Sequence, residues 1–306
     1  MTGETAFLLT LGIAVAMGAG FYARMASGRG LRGTALWLPP VLAIILGVLS
    51  ARVFYFLARL DYMLLQRGWA GLWDLRPQGL ALGGAVLGVL LGGWLGARVA
   101  GVKAHRVLDW LSAPAAWALL VARLGEFFVD RGQGAYVRQA AQQFFPLAVR
   151  NQWDEWYYAI FMLEALFALV MVLVALYGRQ AGGARRWQRV LLLLLLTQVF
   201  SESLRAETIK WGFVRVHQLF SALGIAALML CWAWKAHRNG RGWCLPELAM
   251  FLIGVGLLIG IEFALDRWQQ TPRWVLYGAM ALVLTGIGLA ATRCARKARL
   301  YAVAED

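Results

Sequence analysis

The sequence has 306 residues, of which 61% are hydrophobic and only 15% are charged. Soluble domains are about half apolar and about a quarter charged, and a single soluble core could not bury this much apolar surface. The composition therefore excludes a soluble protein and predicts a membrane protein. The net charge of +14 does not indicate nucleic acid as a partner, because the cytoplasmic loops of membrane proteins accumulate Lys and Arg.

Nine apolar runs are long enough to cross a bilayer, which takes about 20 mostly apolar residues. In chain order they are 6–23, 36–58, 79–97, 108–129, 156–177, 188–204, 214–234, 246–265 and 274–292. The sixth is the least clean, since it turns polar from Gln198. The N-terminus lacks the basic region of a cleavable signal peptide, so the first run is expected to be retained. These runs predict an all-α polytopic membrane protein with about nine transmembrane helices.

The charges of the loops predict the topology of the chain. Lys and Arg concentrate in the short loops after the odd-numbered runs and in the C-terminal tail, whereas most acidic loop residues lie in the alternate loops. The positive-inside rule then places the N-terminus outside and the C-terminus in the cytoplasm. The longest outer loop, residues 130–155, carries aromatic residues among polar ones. It either packs on the outer membrane face as a small cap or is a solvated connector.

Several ionisable side chains lie inside the predicted spans, where each costs roughly 2.5–3.5 kcal/mol. The second, fourth and fifth runs contain Arg52, Arg123 with Glu126, and Glu164. Arg123 and Glu126 are three residues apart and so share one helical face. The alternative to a functional role is a structural one, in which the two residues form an intrahelical ion pair that stabilises the helix bundle.

Of the polar patterns in the chain, the one at the end of the sixth run most strongly indicates a functional site. Its i, i+3, i+4, i+7 spacing predicts a polar stripe on one helical face, formed by Gln198, Ser201, Glu202 and Arg205. The next runs add His217 and Glu262. Most of these groups fall near the outer side, so we expect a polar cavity there, although a purely structural network is the alternative. Arginine suits a phosphate because its planar fork donates two parallel hydrogen bonds.

Several segments resemble the prolipoprotein diacylglyceryl transferase family. In that family an Asp and a Pro open a helix, and Gly-Arg-x-Gly-Asn-Phe-x-Asn, an acid and a glycine follow. The similar segments here are Val107–Pro114, Ala122-Arg-Leu-Gly-Glu-Phe-Phe128 and Gly132-Gln-Gly134. Further similar segments, in the same order, are Gly47–Tyr55, Leu163-Glu-Ala165, Glu202-Ser-Leu-Arg205 and His217–Ser221. The resemblance covers about residues 6–235.

The resemblance implies a domain plan, a reaction and its partners. Residues 1–235 would form a seven-helix transferase-like core, and residues 236–306 an additional hairpin with a basic cytoplasmic tail. The reaction would move a diacylglyceryl group from phosphatidylglycerol to the lipobox cysteine thiol of a prolipoprotein, recognised through its signal peptide, at the bacterial inner membrane. No cofactor is implied. The scattered cysteines and histidines predict no metal site.

The resemblance also implies roles for individual residues. The expected catalytic residues are Arg123, Glu202, Arg205 and His217. The expected substrate-binding residues are Arg52, Glu126, Glu164, Gln198 and Ser201. Among these, Arg123 would bind the lipid phosphate.

This sequence departs from the family pattern at four positions. Where the family has a histidine before a Gly-Gly pair, this chain has Leu82 or a gap. The family's signature asparagine is replaced by Glu126, and its arginine four residues before the position of Glu202 is replaced by Gln198. The acid after the signature aligns with Arg131, although Asp130 is adjacent. An alternative function is therefore a non-catalytic relative that binds a lipid or lipoprotein. A transporter is disfavoured, because the chain lacks internal symmetry and clear pairs of broken helices.

Overall fold

A computed structural model describes residues 2–28, 30–74, 79–151, 153–178, 184–212, 214–268 and 271–299, and almost all regular structure in them is helical. The helices are α1 Gly3–Ser27, α2 Thr34–Ala58, α3 Leu60–Arg67, α4 Leu82–Val99, α5 Ala104–Gly125, α6 Ile160–Tyr177, α7 Arg186–Leu204, α8 Val216–Arg238, α9 Leu245–Arg267 and α10 Arg273–Arg299. Every predicted span coincides with one of them to within about four residues at each end, except that α10 continues for seven residues beyond the predicted end. The short helix α3 was not predicted. The chain is thus an all-α polytopic membrane protein.

Eight of these helices, within the described ranges, are long and apolar enough to cross a membrane. The predicted sixth span, α7, is a helix but does not belong to this group. It begins with Arg186 and Arg189, and it ends in the polar stretch from Gln198 to Glu202. These ends dilute its short leucine-rich centre, in agreement with the sixth run being the least clean of the nine.

By their internal contacts the described residues form two compact units. The first comprises Met1–Tyr177 and Arg205–Val216, and the second Gly178–Leu204 and His217–Asp306. The predicted division at residue 235 stays a prediction. Residues 300–306 of the predicted cytoplasmic tail lie outside the described residues.

In the first unit, α2 and α4 meet along a seam of four glycines spaced four residues apart. A Cβ built on Gly84 would lie 2.8 Å from the Cα of Ala51, and one on Gly88 would lie 2.7 Å from the Cα of Gly47. Gly92 and Gly96 approach α2 just as closely. Small residues at this spacing let membrane helices pack backbone to backbone. Helices α1 and α5 pack beside this pair, and α6 packs against α5.

The loop at 130–155 is a folded segment. Strands β1 (Ala148–Arg150) and β2 (Trp156–Tyr158) pair antiparallel, and Tyr136 bridges to Tyr157. Val137 and Ala148 are fully buried. The segment is therefore ordered around a few buried residues, while its placement as a cap on the outer membrane face and the alternative of a solvated connector both stay predictions. Two further short strands, β3 (Lys210–Trp211) and β4 (Val214–Arg215), form a hairpin after α7.

The second unit gathers α7, α8, α9 and α10 around one apolar core. Leu195, Met229 and Ile287 are buried in it, together with Cys244 and Cys294. Of the three glycines of α9 that could permit close packing, Gly254 meets the Ile287 side chain, whereas Gly256 and Gly260 face open space. The polar end of α7 also lies in this unit.

Candidate functional site

Four charged side chains of the first unit form one ion-pair network, which we call the Arg–Glu network. It consists of Arg123, Glu126, Glu164 and Arg205. Arg123 pairs with Glu126, and its Nε lies 3.1 Å from Glu164 Oε2. Arg205 donates from Nη2 to Glu126 Oε2 at 2.9 Å and from Nε to Glu164 Oε1 at 3.0 Å. Each arginine therefore contacts both carboxylates, and the four side chains are only 5–16% exposed.

Three separate parts of the chain bring this network together. Arg123 lies in the last turn of α5, and Glu126 opens the short 3-10 helix Glu126–Val129 that follows. Glu164 lies in the second turn of α6. Arg205 comes directly after α7, where the Ala206 amide donates to Gln133 O at 3.0 Å. The Trp211 indole, which donates to Ala58 O at 2.8 Å, holds the same segment further on.

The position of Arg205 corrects the predicted polar stripe. Gln198, Ser201 and Glu202 lie in α7, but the helix ends at Leu204, so Arg205 leaves the helical face that the spacing gave it. Its backbone instead follows the segment anchored at Gln133. Arg205 consequently joins Glu126 and Glu164.

A cavity of about 300 Å³ opens between α1, α2, α4 and α5. Its walls are mostly apolar and include Val15, Gly47, Ala85 and Pro114. At one end it is lined by Glu126 together with Arg131. Ligand pockets start at about this volume and combine apolar walls with a few polar groups. The Arg–Glu network thus reaches the cavity through Glu126.

Arg131 was noted in the sequence only as a departure from the family pattern. Its amide donates to Glu126 O at 3.3 Å, after Asp130 turns the chain with a left-handed φ of 49°. Burial lowers the pKa of Arg131, and the nearby Glu126 carboxylate opposes that shift. A half-buried guanidinium therefore stands beside a carboxylate at the polar end of the cavity.

Gly132 lies directly against the carboxylate of Glu126. It has a φ of +66°, and a Cβ there would overlap Glu126 Oε2 and lie 2.8 Å from the Phe161 Cβ. Its carbonyl accepts from the Phe161 amide at 2.9 Å. This glycine is required both for its backbone conformation and for the close approach of Glu126.

Arg52 lies in the first unit, and its guanidinium forms hydrogen bonds to backbone carbonyls of a loop. Its guanidinium donates to Gly79 O at 3.0 Å, to Leu72 O at 3.3 Å and to Gly71 O. It thereby ties the segment after α3 to α2. Its predicted role in substrate binding stays a prediction.

The remaining predicted site residues lie in the second unit. Gln198 Nε2 donates to Glu202 Oε2 at 3.3 Å, and Ser201 Oγ donates to Thr197 O at 3.0 Å. His217 lies in the first turn of α8 and is half-buried. The predicted roles of these residues in catalysis or binding stay predictions.

A second polar cluster in this unit involves a residue of α9. The Glu262 carboxylate accepts from Ser203 Oγ and from Gln218 Nε2, the latter at 2.7 Å. Gln218 also donates to Ser203 Oγ at 2.7 Å. The sequence marked Glu262 as a costly charge but did not indicate these partners.

The first unit offers groups that suit an anionic amphiphile. Among the residues that the structure describes, no three His, Cys, Asp or Glu side chains gather as metal ligands would. The cavity offers apolar walls for a hydrocarbon chain, and guanidinium groups lie at its polar end or behind it.

Comparison with known proteins relates the chain to one family. The sequence matches the family described as prolipoprotein diacylglyceryl transferase over residues 6–234. It is 24% identical over 190 residues to the phosphatidylglycerol–prolipoprotein diacylglyceryl transferase of Clostridium novyi, covering 60% of this chain and 73% of that one. The enzyme of the same name from Gloeobacter violaceus is 27% identical over 198 residues, covering 60% and 74%. That from Bacillus cereus is 24% identical over 211 residues, covering 66% and 76%.

Proposed function

The chain belongs to the prolipoprotein diacylglyceryl transferase family, and we propose that it transfers a diacylglyceryl group from phosphatidylglycerol to the lipobox cysteine thiol of a prolipoprotein. The observation that carries the proposal is the apolar cavity whose polar end is formed by Glu126 and Arg131, next to Arg123 and Arg205. This arrangement fits a lipid with a hydrocarbon chain in the cavity and an anionic head group at its end.

In the proposed reaction the thiol sulfur forms a bond to the glycerol carbon of the diacylglyceryl group. The bond between that carbon and the phosphate oxygen breaks, and glycerol phosphate leaves with the electron pair. The thiol proton goes to a general base of the protein. Arg123 and Arg205 would stabilise the charge that develops on the phosphate, which is the kind of contribution that preorganised cations make to catalysis.

The proposed setting is the bacterial inner membrane. We place the N-terminus outside and the C-terminus in the cytoplasm, because basic residues concentrate in the loops that this topology puts inside. Residues 1–235 would carry the reaction, and residues 236–306 would be an addition to it. The lipobox segment of the prolipoprotein would approach from the outer side.

Complementation tests the proposal directly. A bacterial strain depleted of its own transferase should regain growth with the wild-type chain but not with Arg205→Gln, which removes one cation from the Arg–Glu network. Arg150→Gln, in an exposed ion pair with Asp154, is the matched control and should rescue growth. Purified protein with phosphatidylglycerol vesicles and a lipobox peptide should add the mass of one diacylglyceryl group to the peptide. Folded protein that neither rescues growth nor modifies the peptide would overturn the proposal.

One observation favours a second candidate, a non-catalytic relative that binds a lipid or lipoprotein. Glu126 replaces the family's asparagine, and it engages both Arg123 and Arg205. A phosphate would have to compete with this carboxylate for the same guanidinium groups. The second candidate predicts that the protein binds phosphatidylglycerol or the lipobox peptide without modifying the peptide. Transfer of the diacylglyceryl group would rule it out.

A further inference from the structure

Arg131 holds a position that distinguishes it from the two arginines of the Arg–Glu network. Arg123 and Arg205 lie behind Glu126, and each contacts both carboxylates of the network. Within the described ranges, the lining of the cavity includes one basic side chain, that of Arg131. A ligand in the cavity would therefore meet the guanidinium of Arg131 before it met the other two.

The backbone around Arg131 holds it in this place. Its own amide is bonded to Glu126 O at 3.3 Å, and the next residue, Gly132, accepts from the Phe161 amide at 2.9 Å. The left-handed turn at Asp130 joins these anchors to the end of the 3-10 helix. Arg131 is thus fixed by its neighbours on both sides.

The charges around Arg131 leave room for one anion. Formally, the three guanidinium groups of Arg123, Arg131 and Arg205 exceed the two carboxylates of Glu126 and Glu164 by one positive charge, and the adjacent Asp130 is exposed. Glu207 also lies near Arg131, but it is exposed and its effect is screened by solvent. A phosphodiester, with a single negative charge, would neutralise the excess.

We propose that Arg131 binds the phosphate of the lipid donor in this chain, because Glu126 and Glu164 already engage Arg123, the residue for which the family resemblance implies this role. The inference rests on the proposed function for the identity of the donor. It deepens that function by assigning the head group to a residue that stands where the family pattern has an acid. The hydrocarbon chain of the lipid would lie along the apolar walls of the cavity.

A lipid-dependent thermal shift tests this assignment without measuring transfer. The purified full-length chain in detergent is heated with phosphatidylglycerol, or with diacylglycerol of the same acyl chains, which lacks the phosphate. We expect phosphatidylglycerol to raise the melting temperature of the wild type above the value with diacylglycerol. Arg131→Gln should lose this difference, whereas Arg138→Gln, an exposed arginine seven residues on, should keep it.

The outcomes separate this inference from the proposed function. Arg131→Gln that keeps the full difference between the two lipids would overturn the assignment. If that variant does not fold, Arg131→Lys decides. It keeps the charge but loses the bidentate fork, and its affinity for phosphatidylglycerol should fall by about tenfold; unchanged affinity would overturn the inference. Loss of lipid binding in Arg131→Gln together with no peptide modification by the wild type would sink the proposed function alone.

Discussion

Glu126 Oε2 accepts a hydrogen bond from Arg205 Nη2 at 2.9 Å, although 79 residues separate the two along the chain. The bond joins the end of α5 to the segment after α7. Because Glu126 also lines the cavity, it links the buried charges to the space where a ligand would bind. A change at either residue should therefore affect both stability and ligand binding.

Removal of the Glu164 charge should destabilise the protein. Glu164→Gln would leave Arg123 and Arg205 with Glu126 as the one remaining carboxylate of the network. Breaking a buried ion pair from one side costs about 3–5 kcal/mol, since the remaining charge is left uncompensated. Unfolding in detergent should show a loss of about 3 kcal/mol. Asp154→Asn, which breaks an exposed pair with Arg150, should have little measurable effect. Equal stability of the two variants would argue against an energetically important network.

Gly132→Ala should be more harmful than an ordinary glycine replacement. Its Cβ would overlap Glu126 and approach Phe161 to 2.8 Å, in addition to the strain of a positive φ. Gly101→Ala is a matched control, because Gly101 has a φ of +69° and open space around it. The control should lose about 1–2 kcal/mol from backbone strain alone. Gly132→Ala should lose clearly more and should also weaken lipid binding; a loss no greater than the control's would contradict the observed packing.

Replacement of glycine by alanine should have opposite effects on stability inside and outside the glycine seam. Gly88→Ala would place a methyl group 2.7 Å from the Cα of Gly47 and against Leu46 O, and should destabilise the protein by about 1–3 kcal/mol through overpacking. Gly20→Ala in α1 meets open space and should be neutral or stabilising by up to about 1 kcal/mol, because alanine is the better helix former. Thermal unfolding in detergent compares the two. Stabilisation by Gly88→Ala would show that the helices do not touch there.

Glu262 should anchor α9 through hydrogen bonds. Glu262→Ala would leave Ser203 and Gln218 without this acceptor, which costs about 1–3 kcal/mol for buried groups. Glu262→Gln retains a carbonyl oxygen that can accept from both and should stay close to the wild type. Thermal unfolding of both variants measures the difference. If Gln were as harmful as Ala, the negative charge itself would be the important property.

Apolar run length predicted the helices well, since the bilayer sets the length of every spanning helix and each run reflects it. It predicted α3 poorly, because Leu60–Arg67 is short and half polar. Spacing also placed Arg205 on the face of α7, but helical periodicity cannot show where a helix ends when a distant carbonyl, that of Gln133, takes the next amide.

The candidate site was predicted in part. Charge inside apolar runs marked Arg123, Glu126 and Glu164, and the structure brings them together with Arg205. The sequence indicated Arg131 only as a departure from the family pattern. It could not predict that this residue lines the cavity, because Arg131 lies beyond the apolar run and its burial cannot be read from the sequence. The four-residue spacing of Gly84, Gly88, Gly92 and Gly96 was visible and would have revealed the seam between α2 and α4.

That seam limits how a lipid could reach the cavity. Where α2 and α4 meet backbone to backbone, no side chain can swing aside to open a gate, and parting the helices would break the whole row of contacts at once. Of the neighbouring helix pairs around the cavity, which are α1–α2, α2–α4, α4–α5 and α1–α5, the α1–α2 pair has the least contact. The proposed lipid donor would therefore enter the cavity from the bilayer between α1 and α2, while α2 and α4 stay packed together.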